Sequence, residues 1–459
     1  MAEVLRLKQD LDRLVCVPLD RNPGDTLVMC PVTYVEVMRS TFVCNEGYKI
    51  IRKGERQVLR EWGMDFQHVD FRQLGRWKND GRLGAAYALP KHKDTEKYRP
   101  ICPAYQEPSI LLCKKIAQAM NGMLFGLPAS GHFNLRSVGE MKGRLHALNV
   151  KMRRVCSDVR ILTGSYDVQD MFSKLPHSTI ERAVEWSVWS HRSRGRSGVF
   201  VKRRGRGWKL SRCDSVEGYA FLSFDVIQQF VSFELELCFT VASGYIVQQL
   251  VGIPMGKSSS PPLACLMCSK AEWDFMITLG NQRRLIGGLR FVDDASVFVA
   301  YNARKPDSKV RAEAILAKFE RCYDEALTLK KTDTSEGCWE FLGCKLNMQE
   351  NFPYLGCCQK LKNERELRMG LELTFRTFQD FESWTSKKAK LAVIVSALHR
   401  IDQNSMETPD MIGALILLRM ELRRRRYPDS YFDRAIKSFA RDKSNLWKLL
   451  AELLTSAPE

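Results

Sequence analysis

Two adjacent aspartates, Asp293 and Asp294, interrupt the otherwise apolar segment RFVDDASVFVA. Apolar runs on both sides of an acidic pair predict a β-hairpin with the acids at its tip. Neighbouring carboxylates between hydrophobic strands are unfavourable, because like charges repel and each group loses hydration. The pair therefore predicts a positive partner, for which a divalent metal pair is the usual solution, although a plain turn gives the same pattern.

A third acid, Asp167, lies at the end of the apolar segment ILTGSYDVQDMF, which predicts a buried strand running into a turn. Two-metal phosphoryl transfer needs carboxylates from two separate strands that hold the ions about 4 Å apart. Asp167 and Asp293 meet that need, with Asp294 as an auxiliary ligand and Val168 as a further candidate. Because carboxylate donors are oxygens, Mg²⁺ is the expected ion and Mn²⁺ its substitute.

Three segments occur in the order of the palm motifs of reverse transcriptases: SYDVQDMFSKLPH, QQLVGIPMGKSSSPPLA and RFVDDASVF. The chain most closely resembles the reverse transcriptases of Penelope-like elements and telomerases. Its upstream segment VPLDRNPGDTLVMCPVTYVEVM is similar to a Penelope-like block that typically has Asp-Lys where this chain has Asp20-Arg21. The resemblance covers about residues 15 to 350. It implies an α+β right-hand polymerase with fingers, a palm that carries a two-metal site, and a helical thumb.

The resemblance also implies a division of the chain and an activity. Residues 1–90 would form an N-terminal extension and part of the fingers, residues 91–355 the fingers and palm, and residues 356–459 the helical thumb. The implied activity is that of an RNA-directed DNA polymerase that adds dNTPs to a primer 3′ end. Since no nuclease signature is recognisable, the expected source is a Penelope-like or domesticated retroelement that lacks an endonuclease.

Two segments of the palm motifs resemble parts of a nucleotide site. Phe172 stands five residues after Asp167, where reverse transcriptases place an aromatic ring that excludes a 2′-hydroxyl; a core phenylalanine is the alternative. The run from Gly252 to Gly256 predicts a tight turn that opens a helix, and its glycines would let the backbone approach a base pair closely. Gln249, three residues before the turn, fits the same family pattern.

Two further segments supply candidate lysine and arginine residues. ALPKHKDTEKYRPI resembles the fingers segment that grips the incoming triphosphate, with Lys91 and Arg99 preferred to Lys93 and Lys97. Alone, such a basic loop is more often a solvated surface. Lys331, in LTLKKTDT, best matches a general acid that protonates the leaving pyrophosphate. Lys330 is the alternative for that role, and a surface lysine pair is equally compatible.

The positive charge of the chain points to a polyanionic partner. Lysine and arginine number 71 against 53 acids, a formal charge of +18, for which nucleic acid is the default partner. Residues 191–213, between the first two palm motifs, contain nine of these cations and no acid. This basic insertion predicts an exposed hairpin on a phosphate backbone, although a nuclear targeting signal is the competing interpretation. The candidate nucleic-acid-binding residues are Lys202, Arg203, Arg204, Arg206 and, for stacking, Trp208.

Cysteine usage and the N-terminal sequence predict an intracellular location, with nuclear residence left open. The fifteen cysteines are spread over a long chain, and the first twenty residues are too charged for a secretory signal. Cys265 and Cys268 form a CxxC without a second pair, so we interpret them as core residues. The apolar run from Met411 to Leu418 is too short to span a bilayer.

The expected partners are an RNA template, a DNA primer and dNTPs, with no membrane partner.

Local patterns predict several elements. Strands are expected in LVCVPLD and TLVMC, around the turn Asn22-Pro23-Gly24-Asp25. A long amphipathic stretch covers Tyr219 to Leu237, Glu313 to Leu329 is helical in period, and Thr408 with Pro409 predicts an N-cap and first helical residue.

Three other functions stay open. A viral RNA-dependent RNA polymerase is disfavoured by Phe172 and by the Val-Asp-Asp form of the hairpin tip. A nucleic-acid-binding protein with a decayed polymerase site is disfavoured by the intact acidic set. A telomerase-like enzyme with its own RNA would carry the same motifs.

Overall fold

The structure is a computed structural model that describes residues 2–21, 25–68, 71, 75–92, 94–155, 158–213, 215–332, 337–349 and 354–456. Residues 22–24 of the predicted turn Asn22-Pro23-Gly24-Asp25 and the candidate Lys93 lie outside these residues. The strands are β1 Val15–Pro18, β2 Thr26–Met29, β3 Tyr48–Ile51, β4 Tyr87–Lys91, β5 Asp94–Ile101, β6 Val159–Gln169, β7 Gly198–Lys202, β8 Trp208–Lys209, β9 Tyr219–Ser223, β10 Phe239–Ala242, β11 Tyr245–Gln249, β12 Ile286–Phe291, β13 Asp294–Asn302, β14 Thr328–Lys331, β15 Cys338–Phe341, β16 Cys344–Gln349 and β17 Tyr354–Gln359.

The helices account for most of the remaining described chain. They are α1 Ala2–Asp10, α2 Pro31–Met38, α3 Glu55–His68, α4 Ile110–Phe125, α5 Met141–Arg153, α6 Met171–Lys174, α7 His177–Arg192, α8 Phe224–Glu236, α9 Ser260–Thr278, α10 Pro306–Phe319, α11 Glu364–Met369, α12 Lys387–Asn404, α13 Thr408–Arg424, α14 Asp429–Ala440 and α15 Asn445–Ser456. None of them is long and apolar enough to cross a membrane, within the residues that the structure describes.

The chain divides into two compact units that interleave in sequence. The first comprises Met1–Asn134, Val168–Gly280 and Ala317–Lys330, and the second comprises Leu135–Asp167, Asn281–Leu316 and Lys331–Glu459. The predicted division at residues 90 and 355 stays a prediction.

The second unit contains β12, β13 and most of β6, which belong to a four-stranded sheet in the order β12-β13-β6-β14. We call this sheet the palm sheet. β6, β12 and β13 are rich in apolar residues, and most of their side chains are buried. Their core side chains pack with those of α5 and of the antiparallel sheet β15-β16-β17. This burial fixes the register of β6 and β13, since a slip of one residue would turn the core side chains to the opposite face.

The C-terminal part of the second unit has its own helical core. Apolar residues of α12, α13, α14 and α15 meet in one buried cluster that includes Ile394, Leu415, Ile436 and Trp447. The C-terminal region is therefore mainly helical, as the sequence predicts. Glu407, one residue before the predicted N-cap Thr408, occupies the N-cap of α13, with a proline in the first turn.

The first unit holds the β4-β5 hairpin, the sheets β10-β11-β3 and β8-β7-β9, and a group of packed helices. In α3, Val58, Trp62 and Phe66 recur every fourth residue and are buried, as expected for the apolar face of a helix. Trp62 and Phe66 contact Phe233 of α8 through ring pairs with centroids 6.5 and 6.0 Å apart.

One amphipathic stretch is helical only in part, and one helical prediction was wrong in part. The segment from Tyr219 begins as strand β9, because residues 219–223 pair with β7, and the helix starts only after Ser223, whose hydroxyl accepts a hydrogen bond from the Val226 amide at 3.3 Å. The segment from Glu313 leaves the helix at Phe319 and re-enters a sheet as β14. In both places, pairing with a neighbouring strand overrides the local periodicity.

The thiols follow the sequence-based expectation where they are described. All the described cysteines are free, and Cys265 and Cys268 are buried in α9.

Candidate active site

Asp167 and Asp294 lie directly opposite each other in the palm sheet. β13 runs antiparallel to β6, and the register pairs Asp294 with Asp167 and Ser296 with Ser165. Directly opposite side chains in an antiparallel pair lie on one face, with Cβ atoms about 4.5–5.5 Å apart. The sequence-based prediction that Asp167 and Asp293 hold the metal ions, with Asp294 as an auxiliary ligand, stays a prediction.

Asp293 occupies the turn of the predicted hairpin. Phe291 pairs with Asp294, so Val292 and Asp293 form a two-residue turn between β12 and β13. All three aspartates are partly buried rather than sealed from solvent. The hairpin with its acids at the tip is therefore present as predicted, and it brings two acidic residues of the tip to the end of β6 that carries the third.

Backbone strain marks this turn. Val292 has a φ of 58°, a conformation that is strained for a β-branched residue and typically costs about 1–3 kcal/mol. The side chain of the fully buried Arg290 donates a hydrogen bond to the Val292 carbonyl at 3.2 Å. The carbonyl of Arg290 in turn accepts a hydrogen bond from the Leu135 amide at 2.7 Å. The surrounding contacts thus hold a turn that Val292 itself disfavours.

The donor set suits a hard divalent cation. Carboxylate oxygens are the ligands that Mg²⁺ prefers, and this ion commonly uses one or two carboxylates together with substrate phosphates. Within the described ranges, no group of three or more His, Cys, Asp or Glu side chains forms a preassembled metal cage. Val168 is buried and apolar, so only its backbone carbonyl could serve as a ligand.

Lys331 ends β14 at the edge of the palm sheet. The next residue, Thr332, donates its amide to the Ser165 carbonyl at 2.8 Å, and its hydroxyl donates to the Ser165 hydroxyl at 3.0 Å. Thr332 thus lies on the sheet face shared by Ser165 and Asp167. Because successive side chains of a strand alternate between faces, Lys331 is directed to the opposite face. Its predicted role as a proton donor would require its long side chain to reach around the sheet edge.

In the first unit, the turn from Gly252 to Gly256 is held against the short helix α6. The amide of Ile253 donates to the Phe172 carbonyl at 2.7 Å, and Nε2 of His177 lies 2.8 Å from the Gly252 carbonyl oxygen. A Cβ atom on Gly252 would lie 2.4 Å from that Phe172 carbonyl, and its φ is 79°. A side chain is therefore excluded at this position. His177 had no assigned role from sequence, and this contact gives it one.

Close contacts with neighbouring residues also fix the conformations of Gly256 and Gln249. A Cβ atom on Gly256 would lie 2.4 Å from the Cys102 carbonyl oxygen, and φ is 135°. The amide of Cys102 donates to the Met255 carbonyl at 2.7 Å, so the turn is attached to the chain that follows β5. Gln249 is buried, and its side-chain amide donates to the Val251 carbonyl at 3.0 Å.

Directly after this turn, Lys257 is buried between two glutamates, a feature that sequence reasoning missed. Its ammonium lies 3.1 Å from Glu107 and 3.8 Å from Glu234, and 5.6 Å from the ring centroid of Trp62. Burial raises the pKa of Glu107 to about 7, although the Lys257 charge opposes that shift. The pKa of Lys257 is raised above its usual value by its acidic neighbours, with Glu107 the strongest, although burial acts in the opposite direction. We call these three residues the ion cluster.

The residues predicted to bind the triphosphate, Lys91 and Arg99, lie on the β4-β5 hairpin. Arg99 forms an ion pair of 3.3 Å with Asp20, and Lys91 forms an isolated parallel bridge with the same aspartate. The Asp20 amide donates to the Pro90 carbonyl at 2.9 Å. The Asp20-Arg21 segment that resembles the Penelope-like block is therefore attached to the candidate triphosphate-binding hairpin. Lys97 is exposed and pairs with Asp94 at 2.9 Å.

The basic insertion contributes β7 and β8 to the three-stranded sheet β8-β7-β9, and the third strand, β9, follows the insertion in the chain. The end of β7 and its connection to β8 carry exposed cations, namely Lys202, Arg203, Arg204 and Arg206. Trp208, which was expected to be available for stacking, is half-buried. Its ring centroid lies 6.4 Å from that of Phe125, and a Cβ atom on Gly122 would be 3.1 Å from the Trp208 ring. One side of this ring is therefore occupied by packing, and its predicted role in stacking stays a prediction.

Comparisons with known proteins rest on structure. No family model matches the sequence, and no curated protein matches it. The structure is similar to telomerase from Candida albicans in complex with a TWJ fragment of telomeric RNA, with a TM-score of 0.58 and 11% identity, over 99% of this chain and 70% of that one. It is also similar to apo telomerase from Candida tropicalis, with a TM-score of 0.51 and 11% identity, over 95% of this chain and 68% of that one.

The chain has the fold of these telomerases. This finding confirms the predicted α+β right-hand polymerase fold and the resemblance to telomerase-type enzymes. The Penelope-like origin stays a prediction, as do the roles of the individual site residues.

Proposed function

We propose that the chain is an RNA-directed DNA polymerase that adds dNTPs to a primer 3′ end. The observation that supports this proposal most strongly is the register that sets Asp294 opposite Asp167, with Asp293 in the adjoining turn. Carboxylates from two strands, at one end of a sheet, are what two-metal phosphoryl transfer requires. The fold similarity to telomerases supports the same assignment.

In this proposal the three aspartates act as ligands. Mg²⁺, when bound, would lower the pKa of the primer 3′-hydroxyl and stabilise charge on the departing pyrophosphate. Asp167 and Asp294 would hold it from opposite strands, with Asp293 and the Val168 carbonyl as further ligands. Because they are partly exposed, these carboxylates are accessible to an ion from solution, which would keep several water ligands beside them.

Other residues would bind and select the nucleotide. The Phe172 ring cannot accept a hydrogen bond from a 2′-hydroxyl, so it favours dNTPs over rNTPs, and Gln249 and Gly256 shape the turn that follows. Lys91 and Arg99 would neutralise phosphates. Arg99 is held by Asp20, so its guanidinium is oriented before nucleotide arrives. Lys331 would be the proton donor to pyrophosphate.

An RNA template is the proposed partner, together with a DNA primer. The Candida albicans telomerase was solved with a fragment of telomeric RNA, which supports RNA binding by a chain of this fold. The exposed cations between β7 and β8 can neutralise a nucleic-acid backbone. Mg²⁺ is the proposed cofactor, with Mn²⁺ as a substitute.

Primer extension on defined homopolymers tests this proposal. The full chain is supplied with poly(rA)–oligo(dT) or poly(dA)–oligo(dT), in Mg²⁺ or in Mn²⁺, with dTTP or UTP. We expect dTTP incorporation on the RNA template, faster than on the DNA template, and its loss in Asp293→Ala.

Two results would contradict the proposal. A strong preference for UTP would favour an RNA-dependent RNA polymerase instead. Extension that is unchanged in Asp293→Ala would show that the acids at the hairpin tip do not carry the reaction.

A further inference from the structure

A pocket lined by cations lies in the second unit, at the end of the palm sheet that is remote from the aspartates. It has a volume of about 410 Å³ between the C-terminal part of α5 and residues 281–284, which lead into β12. Since Ile286 begins β12 and Phe291 pairs with Asp294, this strand separates the pocket from the acids by roughly 17 Å. We call this site the basic pocket, and its lining residues are Ala147, Val150, Lys151, Arg154, Val155 and Arg284.

Hydrogen bonds bring together the two basic segments that line this pocket. The Lys151 ammonium donates to the Arg283 carbonyl at 3.3 Å and also to the Ile286 carbonyl, so it is fixed beside the segment that contains Arg284. Arg154 ends α5 three residues after Lys151, and residues at this spacing share one face of a helix. The basic pocket therefore has one arginine on either side of Lys151.

The positive charge of the basic pocket is not balanced by acids. Among the residues that the structure describes, no ion pair joins Lys151, Arg154 or Arg284 to a carboxylate. Helix α5 contains no acid, and neither do residues 281–292. Burial lowers the pKa of Lys151, because the ammonium is partly removed from water. The C-terminal end of α5 supplies only about half a negative charge, so a bound anion would complete the balance.

A phosphate group suits the size and the charge of the basic pocket. Arginine binds phosphate through two parallel N–H groups, and lysine contributes a compact charge beside them. Arg153 and Arg283 are exposed next to the pocket and extend its positive surface. A ligand that carries a series of phosphates therefore contacts more of these cations than a single anion does, and the backbone of a nucleic-acid strand supplies such a series.

We propose that the basic pocket binds a backbone phosphate of a single nucleic-acid strand, while Arg153 and Arg283 contact the neighbouring phosphates. A single strand is flexible enough to turn one phosphate into a concave site. Because RNA and DNA share this group, the contact carries no sequence information and serves to hold the strand at a distance from the acids. Free pyrophosphate presents the same chemistry, and the experiment below separates the two sources.

Fluorescence anisotropy of labelled oligo(rU) and oligo(dT) strands, titrated with the full chain, tests the proposal. The buffer contains EDTA and no nucleotide, so binding does not depend on the proposed polymerase reaction. The double variant Arg154→Gln, Arg284→Gln removes two phosphate contacts. At 0.1 M salt we expect strand affinity to fall at least about tenfold, and the slope of log affinity against log salt to become shallower by about 1.4. The matched control Lys437→Gln, Arg441→Gln, which removes two exposed cations at the end of α14, should change neither quantity.

Two substitutions of one lining residue locate the site. Val150 is 39% exposed, so a polar side chain is tolerated there. Val150→Glu and Val150→Gln introduce side chains of nearly equal size, but only the glutamate brings a negative charge that competes with phosphate. We expect Val150→Glu to weaken strand binding at least about tenfold and Val150→Gln to stay within about threefold of the wild type. Thermal unfolding of each variant confirms that it is folded.

Strand binding that is weakened in Arg154→Gln, Arg284→Gln and in Val150→Glu, but kept in Val150→Gln and in the α14 variant, would support the proposal. It would be overturned if both pocket variants bound strands like the wild type, or if the α14 variant lost as much affinity. Calorimetric titration with pyrophosphate, if it bound more tightly than a strand and only to an intact pocket, would also overturn it. A chain that passes these tests but extends no primer would contradict the proposed function alone.

Discussion

The two units of the chain treat closely placed acids in opposite ways. In the second unit, Asp167, Asp293 and Asp294 lie at the end of the palm sheet and stay partly accessible to solvent. In the first unit, Glu107 and Glu234 are buried on either side of Lys257, which is also buried. Accessible acids can bind a cation from solution, whereas sealed acids need one supplied by the chain. Burial therefore separates a site that can do chemistry from one that stabilises a fold.

Substitution of the accessible acids should have the largest effect on activity and a small effect on folding. Asp167→Asn and Asp294→Asn keep the shape of the side chain but remove a ligand charge. We expect primer extension to fall by about 10³-fold or more, equivalent to about 4 kcal/mol of transition-state stabilisation. The midpoint of thermal unfolding should stay within a few degrees of the wild type.

Asp225→Asn is the matched control, since it neutralises an exposed carboxylate that pairs with Arg192 at 2.7 Å. It should leave extension unchanged. A loss of activity in Asp225→Asn equal to that in Asp294→Asn would contradict the special role of the sheet acids.

Substitution in the ion cluster should lower the stability of the fold, whereas substitution of the accessible acids should lower activity. Lys257→Met leaves Glu107 and Glu234 buried without their cation, and removal of one member of a buried ion pair typically costs about 3–5 kcal/mol. We expect a lower midpoint in urea unfolding of the first unit. The triple variant Lys257→Met, Glu107→Gln, Glu234→Gln should recover part of the loss. Equal stabilities of Lys257→Met and wild type would show that the cluster contributes nothing.

The ion cluster also predicts how stability depends on pH. Because the pKa of Glu107 is raised to about 7, the folded chain keeps a proton that the unfolded chain releases above about pH 4.5. The contribution of Glu107 to the free energy of unfolding is therefore fully present below about pH 4.5 and is lost as the pH rises through about 7. A shift of this size corresponds to about 3 kcal/mol.

Urea unfolding at pH 5 and at pH 8 gives the free energy of unfolding of the wild type and of Glu107→Gln. The effect of Glu107 is the difference between the two proteins in how much this free energy changes with pH. The wild type should lose more stability than the variant between the two values. Since burial lowers the pKa of His191 to about 4 and so acts with the opposite sign, only this difference is informative. A parallel change in both proteins would contradict the prediction.

The smallest expected effect concerns the strained turn that carries Asp293. Val292→Gly relieves the positive φ but adds flexibility to the unfolded chain, so we expect a net stabilisation of about 1 kcal/mol. The acids should be placed less firmly, with a loss of about threefold in extension rate. Thermal unfolding and primer extension on the same preparation measure the two quantities. A destabilised variant would show that the turn is not strained.

The difference between the two sets of acids also explains what the sequence could predict. The hairpin around Asp293 and Asp294, and the strand that ends near Asp167, follow from apolar runs of strand length, which are local signals. Which aspartate lies across from Asp167 in the sheet depends on the two-residue turn at Val292 and Asp293, a register that the sequence alone does not determine.

The ion cluster had no local signal in the sequence. Glu107, Glu234 and Lys257 come from three distant segments, and only the packing of the fold brings them together. Lys257 did stand directly after the Gly252–Gly256 turn, a position that could have raised the question of its partner. Trp208 shows the reverse case, because an aromatic residue inside a basic segment looks exposed until the packing against Gly122 is known.

Iron-mediated cleavage tests most directly whether the three aspartates hold a divalent cation. Fe²⁺ replaces Mg²⁺ on the full chain, and ascorbate with peroxide then generates radicals that cut the backbone beside the bound ion. We predict cuts within residues 163–169 and 290–296, competed by excess Mg²⁺ and absent in Asp294→Asn. Cuts confined to other segments, or cuts at these positions that persist in Asp294→Asn, would contradict the metal site and the polymerase mechanism that depends on it.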